Sequence, residues 1–99
     1  MMKSITPLEV QQKLEAGEKL NIIDVREVAE VESGHIPGII HMPLNLVPFK
    51  HQDLEKNEEY IVVCLAGGRS AQATTFLEEQ GYNVTNMTGG MSAWTGEIE

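Results

Sequence analysis

Residues Ile61 to Gln72 read "IVVCLAGGRSAQ". An apolar, β-branched run ends in the only cysteine of the 99-residue chain, and two glycines, an arginine and a serine follow it. This order predicts a buried strand, a tight turn and the start of a helix. Cys64 is therefore expected at the carboxyl end of a strand.

The rest of the chain alternates between helical and strand patterns. A capping box at Thr6 to Glu9, with Pro7 at the first helical position, predicts a short helix that stops at Gly17. The later predicted elements are a strand at 21–25, a helix at 27–33, a turn and strand within 34–44, one or two short helices within 47–59, a strand at 60–64, a helix at 70–80, a strand at 82–87 and a small helix within 89–94.

This alternation predicts an α/β fold in which an open parallel sheet of about four or five strands carries helices on both faces. Ligands of such sheets bind at the carboxyl ends of the strands, where loops lead into helix N-termini. Cys64 lies at such an end, so the segment that follows it is the first candidate for a binding site.

The composition limits the range of functions. The length predicts one domain covering residues 1–99, and the net charge of −8 argues against nucleic acid or an anionic membrane as partner. The N-terminal sequence "MMKSITPLEV" lacks the apolar run of an export signal. A single cysteine cannot form an internal disulfide, which fits a reducing cytoplasm, the expected location.

The turn after Cys64 has the composition of an anion-binding loop. Gly67 and Gly68 allow backbone amides to converge, the helix that follows adds its positive end, and Arg69 adds a full charge. No Asp or Glu occurs between Tyr60 and Leu77, although the chain has 15. These features stabilise a thiolate. The alternative, a small buried hydrophobe at a strand end, does not account for the costly glycine pair.

Loop length and four further motifs extend this interpretation. Four residues separate Cys64 from Arg69, one fewer than in the cysteine phosphatases and arsenate reductases, and a shorter loop suits a sulfur atom better than a tetrahedral oxyanion. At this point the sequence resembles the rhodanese domain, the sulfurtransferase family. The segments that carry the resemblance, from Ile5 to Gly96, are "IIDVRE", "GHIPG", "YIVVCLAGGRSAQA", "FLEEQGY" and "TGGMSAW".

The resemblance implies a five-stranded parallel sheet and a sulfur-carrying Cys64. The Cys64 thiolate would take the outer sulfur of a donor such as thiosulfate, and a cellular thiol, or cyanide in an assay, would accept it. No cofactor is implied, and the histidine spacing does not suggest a metal site. The substrate-binding group is the loop, namely Leu65, Ala66, Gly67, Gly68, Arg69 and Ser70.

Three charged residues each have two possible roles. Arg69 is assigned to the anionic end of the donor, and its alternative is a salt bridge that braces the loop. Asp24 and Arg26 lie at the end of the neighbouring strand, where the resemblance implies that they support the active site. Their alternative is a purely structural ion pair or turn cap. Gly89 and Gly90 are predicted to form a turn beside the site.

The apolar Leu65 and Ala66 leave the donor open. Family members that are efficient with thiosulfate often carry a basic residue in or beside the loop, so a persulfide or polysulfide from a small thiol or a partner protein is an alternative. The expected partners are therefore a small anionic sulfur donor, a thiol or cyanide acceptor and a sulfur-relay protein. Two other functions stay open: a phosphatase or arsenate reductase, and a sulfur-carrier or partner-binding module without turnover.

Overall fold

The computed structural model describes residues 2–99, and within them five strands form one sheet. The strands are β1 (Lys3–Ile5), β2 (Asn21–Asp24), β3 (Ile40–His41), β4 (Glu59–Val63) and β5 (Asn83–Met87). Their order is β1-β5-β4-β2-β3, and every neighbouring pair is parallel. The predicted parallel α/β sheet is confirmed.

The helices begin close to their sequence signals. They are α1 (Pro7–Glu15), α2 (Val28–Glu32), α3 (Val47–Lys50) and α4 (Gly68–Glu79), joined by short 3-10 turns at Leu44–Leu46, His51–Asp53 and Met91–Ala93. The capping box of α1 is present: the Glu9 amide donates to Thr6 Oγ1 at 3.1 Å and the Thr6 amide donates to Glu9 Oε1 at 2.9 Å. None of the helices within residues 2–99 has the length and hydropathy to cross a bilayer.

Two apolar clusters lie on opposite faces of the sheet. Along β4 the side chains of Tyr60 and Val62 join one cluster, whereas Ile61 and Val63 join the other, as the alternation of a strand requires. The first cluster includes Ala73 and Leu77 of α4, and the second includes Val10 of α1. The sheet is therefore covered on both sides, as predicted.

Two elements differ from the sequence prediction. β1 was not predicted, and it forms because Ile5 and its two predecessors pair with the edge of β5. Helix α4 begins at Gly68 rather than at Ser70, because Gly67 takes a left-handed conformation (φ 104°) and acts as the N-cap. The loop after Cys64 is shorter as a result.

Candidate active site

The segments that follow β2, β4 and β5 lie side by side at the carboxyl edge of the sheet. β4 is the middle strand of the three, with Val63 paired to Asp24 of β2 and Val62 paired to Asn86 of β5. Cys64 comes directly after β4. The sheet order thus puts the cysteine between an acidic strand end and a glycine turn.

The Cys64 sulfur is held by main-chain and hydroxyl groups. The Gly67 amide donates to Sγ at 3.0 Å, and the thiol donates to Ser70 Oγ at 3.3 Å. The Ser70 hydroxyl in turn donates to the Gly67 carbonyl at 3.2 Å. Cys64 is 1% exposed, whereas Leu65 above it is 46% exposed. The sulfur is therefore at the floor of a loop whose outer side chains face solvent.

Opposing influences act on the pKa of this thiol. Burial raises the pKa of Cys64, whereas hydrogen bonding with the Ser70 hydroxyl lowers it. The backbone amides of Ser70, Gly67 and Ala66 also lower it, and the net pKa lies below the ordinary value of a thiol. An ionised sulfur no longer donates, so the Ser70 hydroxyl can then turn toward it. The arrangement favours a thiolate.

A second glycine turn fixes the direction of the loop amides. The Met91 amide donates to the Cys64 carbonyl at 2.8 Å, and the Ser92 amide donates to the Leu65 carbonyl at 2.9 Å. Because the C=O and N–H of a trans peptide point in opposite directions, holding these carbonyls outward turns the next amides inward. Sequence reasoning placed a turn here but not these bonds.

Close approach of the two turns requires glycine at position 90. Gly90 has φ 58°, and a Cβ there would overlap the carbonyl oxygens of Cys64 and Leu65. Gly67 faces the same contact from the other side, since its Cβ would lie 3.2 Å from the Gly89 nitrogen. The predicted turn beside the site is thus in direct contact with the loop.

Asp24 and Arg26 form a buried, two-pronged ion pair. Asp24 is 0% and Arg26 4% exposed, and Arg26 Nη2 lies 2.9 Å from Asp24 Oδ2 while Nε lies 3.0 Å from Oδ1. Arg26 Nη2 also donates to the Gly34 carbonyl at 2.8 Å. These contacts tie the end of β2 to the segment that follows α2. Support of the active site by Asp24 and Arg26 stays a prediction.

Arg69 pairs with Glu30, a residue that the sequence analysis did not select. Arg69 Nη1 lies 2.7 Å from Glu30 Oε1, and Nη2 lies 2.8 Å from Oε2. The hydrogen bonds from Arg69 are the main reason why the pKa of Glu30 falls to about 2, and the amide of Glu27 lowers it further. The salt bridge given as the alternative for Arg69 therefore exists. A capping-box pattern from Glu27 to Glu30 was the available signal.

Asn86 adds a buried polar group that also escaped the sequence analysis. Its Nδ2 donates to the Gly67 carbonyl at 3.4 Å, and within residues 2–99 its Oδ1 has no hydrogen-bond partner. Asn86 thereby ties β5 to the N-cap of α4. In the described part of the chain no group of three or more His, Cys, Asp and Glu side chains is placed to hold a metal ion.

The fold and the site define a parallel α/β protein with one thiol inside a loop of amides. A profile of the rhodanese-like domain matches residues 6–97, and the chain belongs to this family. It is 42% identical over 98 residues to the Bacillus subtilis protein named "Putative sulfurtransferase YtwF", covering 99% of this chain and 95% of that one.

Two other similarities agree with this membership. The B. subtilis "Putative sulfur carrier protein YrkF" is 42% identical over 90 residues, which are 90% of this chain and 49% of that protein. The crystal structure of a rhodanese-like domain protein from Staphylococcus aureus superposes with a TM-score of 0.93 at 39% identity, covering 99% and 97% of the two chains. The relatives are thus named as sulfurtransferases or sulfur carriers.

Proposed function

We propose that this protein is a sulfurtransferase that moves one sulfane sulfur through a persulfide on Cys64. The observation that carries the proposal is the contact of the Gly67 amide with Sγ at 3.0 Å, within a loop that lowers the pKa of the thiol. Amide donors around a sulfur stabilise the anion before attack and the persulfide anion after it.

The cycle consists of two displacements at sulfur. In the first, the Cys64 thiolate attacks the outer sulfur of the donor. A bond forms between Sγ and that sulfur, the donor S–S bond breaks, and its electron pair leaves with sulfite or with a thiolate. In the second, cyanide or an acceptor thiolate attacks the outer sulfur of the persulfide and the Cys64 thiolate is regenerated. The cycle needs no external oxidant or reductant.

The loop residues have distinct parts in this proposal. The amides of Leu65 to Ser70 surround the transferred sulfur, and the Ser70 hydroxyl turns to the thiolate. Arg69 is assigned to the anionic end of the donor, for which its guanidinium has N–H groups beyond those used by Glu30. Asp24 and Arg26 hold the adjacent strand end. A reducing compartment such as the cytoplasm suits the cycle, because acceptor thiols are available there.

Intact mass spectrometry tests the proposal directly. Wild-type protein treated with thiosulfate or with glutathione persulfide should gain the mass of one sulfur atom, and cyanide should remove it and yield thiocyanate. The Cys64→Ser variant is the control and should gain nothing. Absence of any mass gain from both donors would contradict sulfur transfer.

A sulfur-carrier module is the second candidate, because a relative that shares 42% identity with this chain is named a sulfur carrier. A carrier would load once and discharge to a protein partner in a sulfur relay, without repeated turnover on small molecules. Multiple-turnover thiocyanate production separates the two: a catalyst exceeds one product per protein, whereas a carrier stops near one. Family membership disfavours the phosphatase and arsenate reductase alternatives.

A further inference from the structure

The positive charge that the loop contributes is compensated by a carboxylate from another helix. Arg69 and Glu30 face each other through two short hydrogen bonds of 2.7 and 2.8 Å, and their side chains are 33% and 29% exposed. Glu30 is fixed in place because its Oε1 also accepts the Glu27 amide at 2.9 Å. The pair is therefore preorganised beside the site.

The neighbouring cation is compensated as well. Arg26 is paired with Asp24 and is 4% exposed, so its charge is enclosed. The exposed residues of the loop next to the sulfur, Leu65 and Ala66, are apolar. The two arginines near the loop are thus both paired with carboxylates, and the backbone amides of the loop are the donors that have no charged partner.

This arrangement of charges discriminates between donor classes. Thiosulfate is a dianion, and Arg69 attracts it less strongly while the Glu30 carboxylate compensates the guanidinium charge. A persulfide R–S–SH can react in its neutral form: Sγ bonds to the outer sulfur, the S–S bond of the donor breaks, and the inner sulfur leaves as a thiolate. Compensation of the Arg69 charge by Glu30 therefore weakens the binding of thiosulfate more than that of a persulfide with an uncharged organic group.

We propose that Glu30 is a specificity-determining residue, which pairs with Arg69 and so makes the site select persulfide donors over thiosulfate. This inference rests on the proposed sulfur transfer at Cys64 and adds to it the class of donor. In this proposal Arg69 can bind an anion, and the Glu30 carboxylate weakens that binding in the wild-type protein.

The Glu30→Gln variant isolates the charge. Glutamine keeps an oxygen that can accept the Glu27 amide or an Arg69 N–H, so the cap of α2 is preserved while the carboxylate is removed. Glu32→Gln is the matched control, because Glu32 is an exposed residue at the other end of the same helix and its change alters net charge equally.

The measurement is kcat/KM for thiosulfate and for the persulfide of 2-mercaptoethanol, whose organic group carries no charge, with cyanide as acceptor, at low ionic strength. The ratio of thiosulfate to persulfide should rise about tenfold in Glu30→Gln, mostly through a lower KM for thiosulfate, and should not change in Glu32→Gln. High salt should reduce the difference, because the charge is partly exposed.

Two further variants guard against a simple folding defect. Arg69→Gln leaves Glu30 without its cation and should shift the ratio in the opposite direction, toward the persulfide. The double variant, with glutamine at both positions, restores a neutral pair and should return the ratio to near the wild-type value. Circular dichroism verifies that each variant is folded.

Failure of this inference is distinguishable from failure of the proposed function. If wild-type protein turns over the persulfide while Glu30→Gln leaves the donor ratio unchanged, or lowers both rates equally, Glu30 is a brace and the specificity proposal is wrong. If wild-type protein takes sulfur from neither donor, sulfur transfer itself is wrong and the inference falls with it.

Discussion

The strands β2 and β4 are neighbours in the sheet, yet the segments that follow them are built in opposite ways. After β2, a carboxylate and a guanidinium that are 0% and 4% exposed satisfy each other. After β4, the Gly67 amide donates to the Cys64 sulfur, and the Arg69 guanidinium is paired with Glu30 of helix α2. In the segment after β2, side-chain charges neutralise each other. In the segment after β4, a backbone amide is the donor that contacts the sulfur.

This difference predicts that the segment after β2 contributes to stability and that the segment after β4 contributes to the reactivity of Cys64. Two buried charges are costly to desolvate and depend on each other, so removing either one destabilises the protein. A loop of amides has no charged partner of its own, and its donors are available to whatever anion the sulfur becomes. Damage after β2 should therefore appear as lost stability, and damage around β4 should appear as lost reactivity.

The largest effect on stability is expected for Asp24→Asn. The change leaves a buried guanidinium with a neutral partner, which should lower the free energy of unfolding by about 3 kcal/mol or more. Urea denaturation gives the value, with the exposed Asp53→Asn as a control expected to change it by less than about 0.5 kcal/mol. A loss at Asp24 as small as that at Asp53 would contradict the comparison.

Gly90→Ala should chiefly change the thiol. The added Cβ overlaps the carbonyls of Cys64 and Leu65 and forces the loop amides to shift, so the pKa of Cys64 should rise. A rise of about one pKa unit slows alkylation by iodoacetamide about tenfold at pH values below the pKa of the thiol. The pH profile of the alkylation rate gives the pKa of Cys64 in the variant and in the wild-type protein.

Gly38→Ala is the matched control for that experiment. Gly38 has φ 81°, so alanine there carries similar backbone strain, but nothing lies within 4 Å of its Cβ. Its alkylation profile should match the wild type. Equal pKa values for the two variants would show that the contact between the turns does not position the amides.

Arg69→Gln should cost little stability compared with Asp24→Asn. The Arg69–Glu30 pair is about one-third exposed at both partners, with side-chain values of 33% and 29%. Pairs screened in this way contribute less than about 1 kcal/mol. Urea unfolding of the two variants under identical conditions makes the comparison, and equal losses would show that the pair after β4 is as structural as the pair after β2.

The smallest expected effect is the acid dependence of that same pair. The pKa of Glu30 in the folded protein is about 2, against an ordinary value of 4.5, so its stabilisation is complete above 4.5 and is lost as the pH falls toward 2. The difference in urea midpoint between wild type and Glu30→Gln should narrow over that range. A difference that stays constant from neutral pH to about 2 would rule out this contribution.

Sequence reasoning succeeded where the signals are local. The capping box at Thr6 and Glu9, the buried run before Cys64 and the glycine turn after it each lie within a few residues, and each specifies its own backbone geometry. The two-faced core follows from them, because β4 alternates its side chains between the helices that flank it.

Sequence reasoning failed where the contact that determines the structure joins residues distant in sequence. Glu30 lies 39 positions from Arg69, so the scarcity of acids between Tyr60 and Leu77 predicted a positive loop that another helix in fact neutralises. β1 has three residues and no clear alternation, and it exists only because β5 offers an open edge. The bonds from Met91 and Ser92 to the loop carbonyls are equally invisible in a linear pattern.

Because backbone amides contact the Cys64 sulfur, the side chains of the loop can be changed without removing those contacts. Peptide groups are common to every residue type, and the side chains of Leu65 and Ala66 are exposed while the Ala66 amide lowers the pKa of Cys64. Replacing these two side chains should change the surface beside Cys64 without changing the backbone amides that contact its sulfur. Libraries randomised at these two positions should therefore yield folded proteins with an intact thiolate and varied partners, which makes the scaffold a convenient starting point for engineered sulfur delivery.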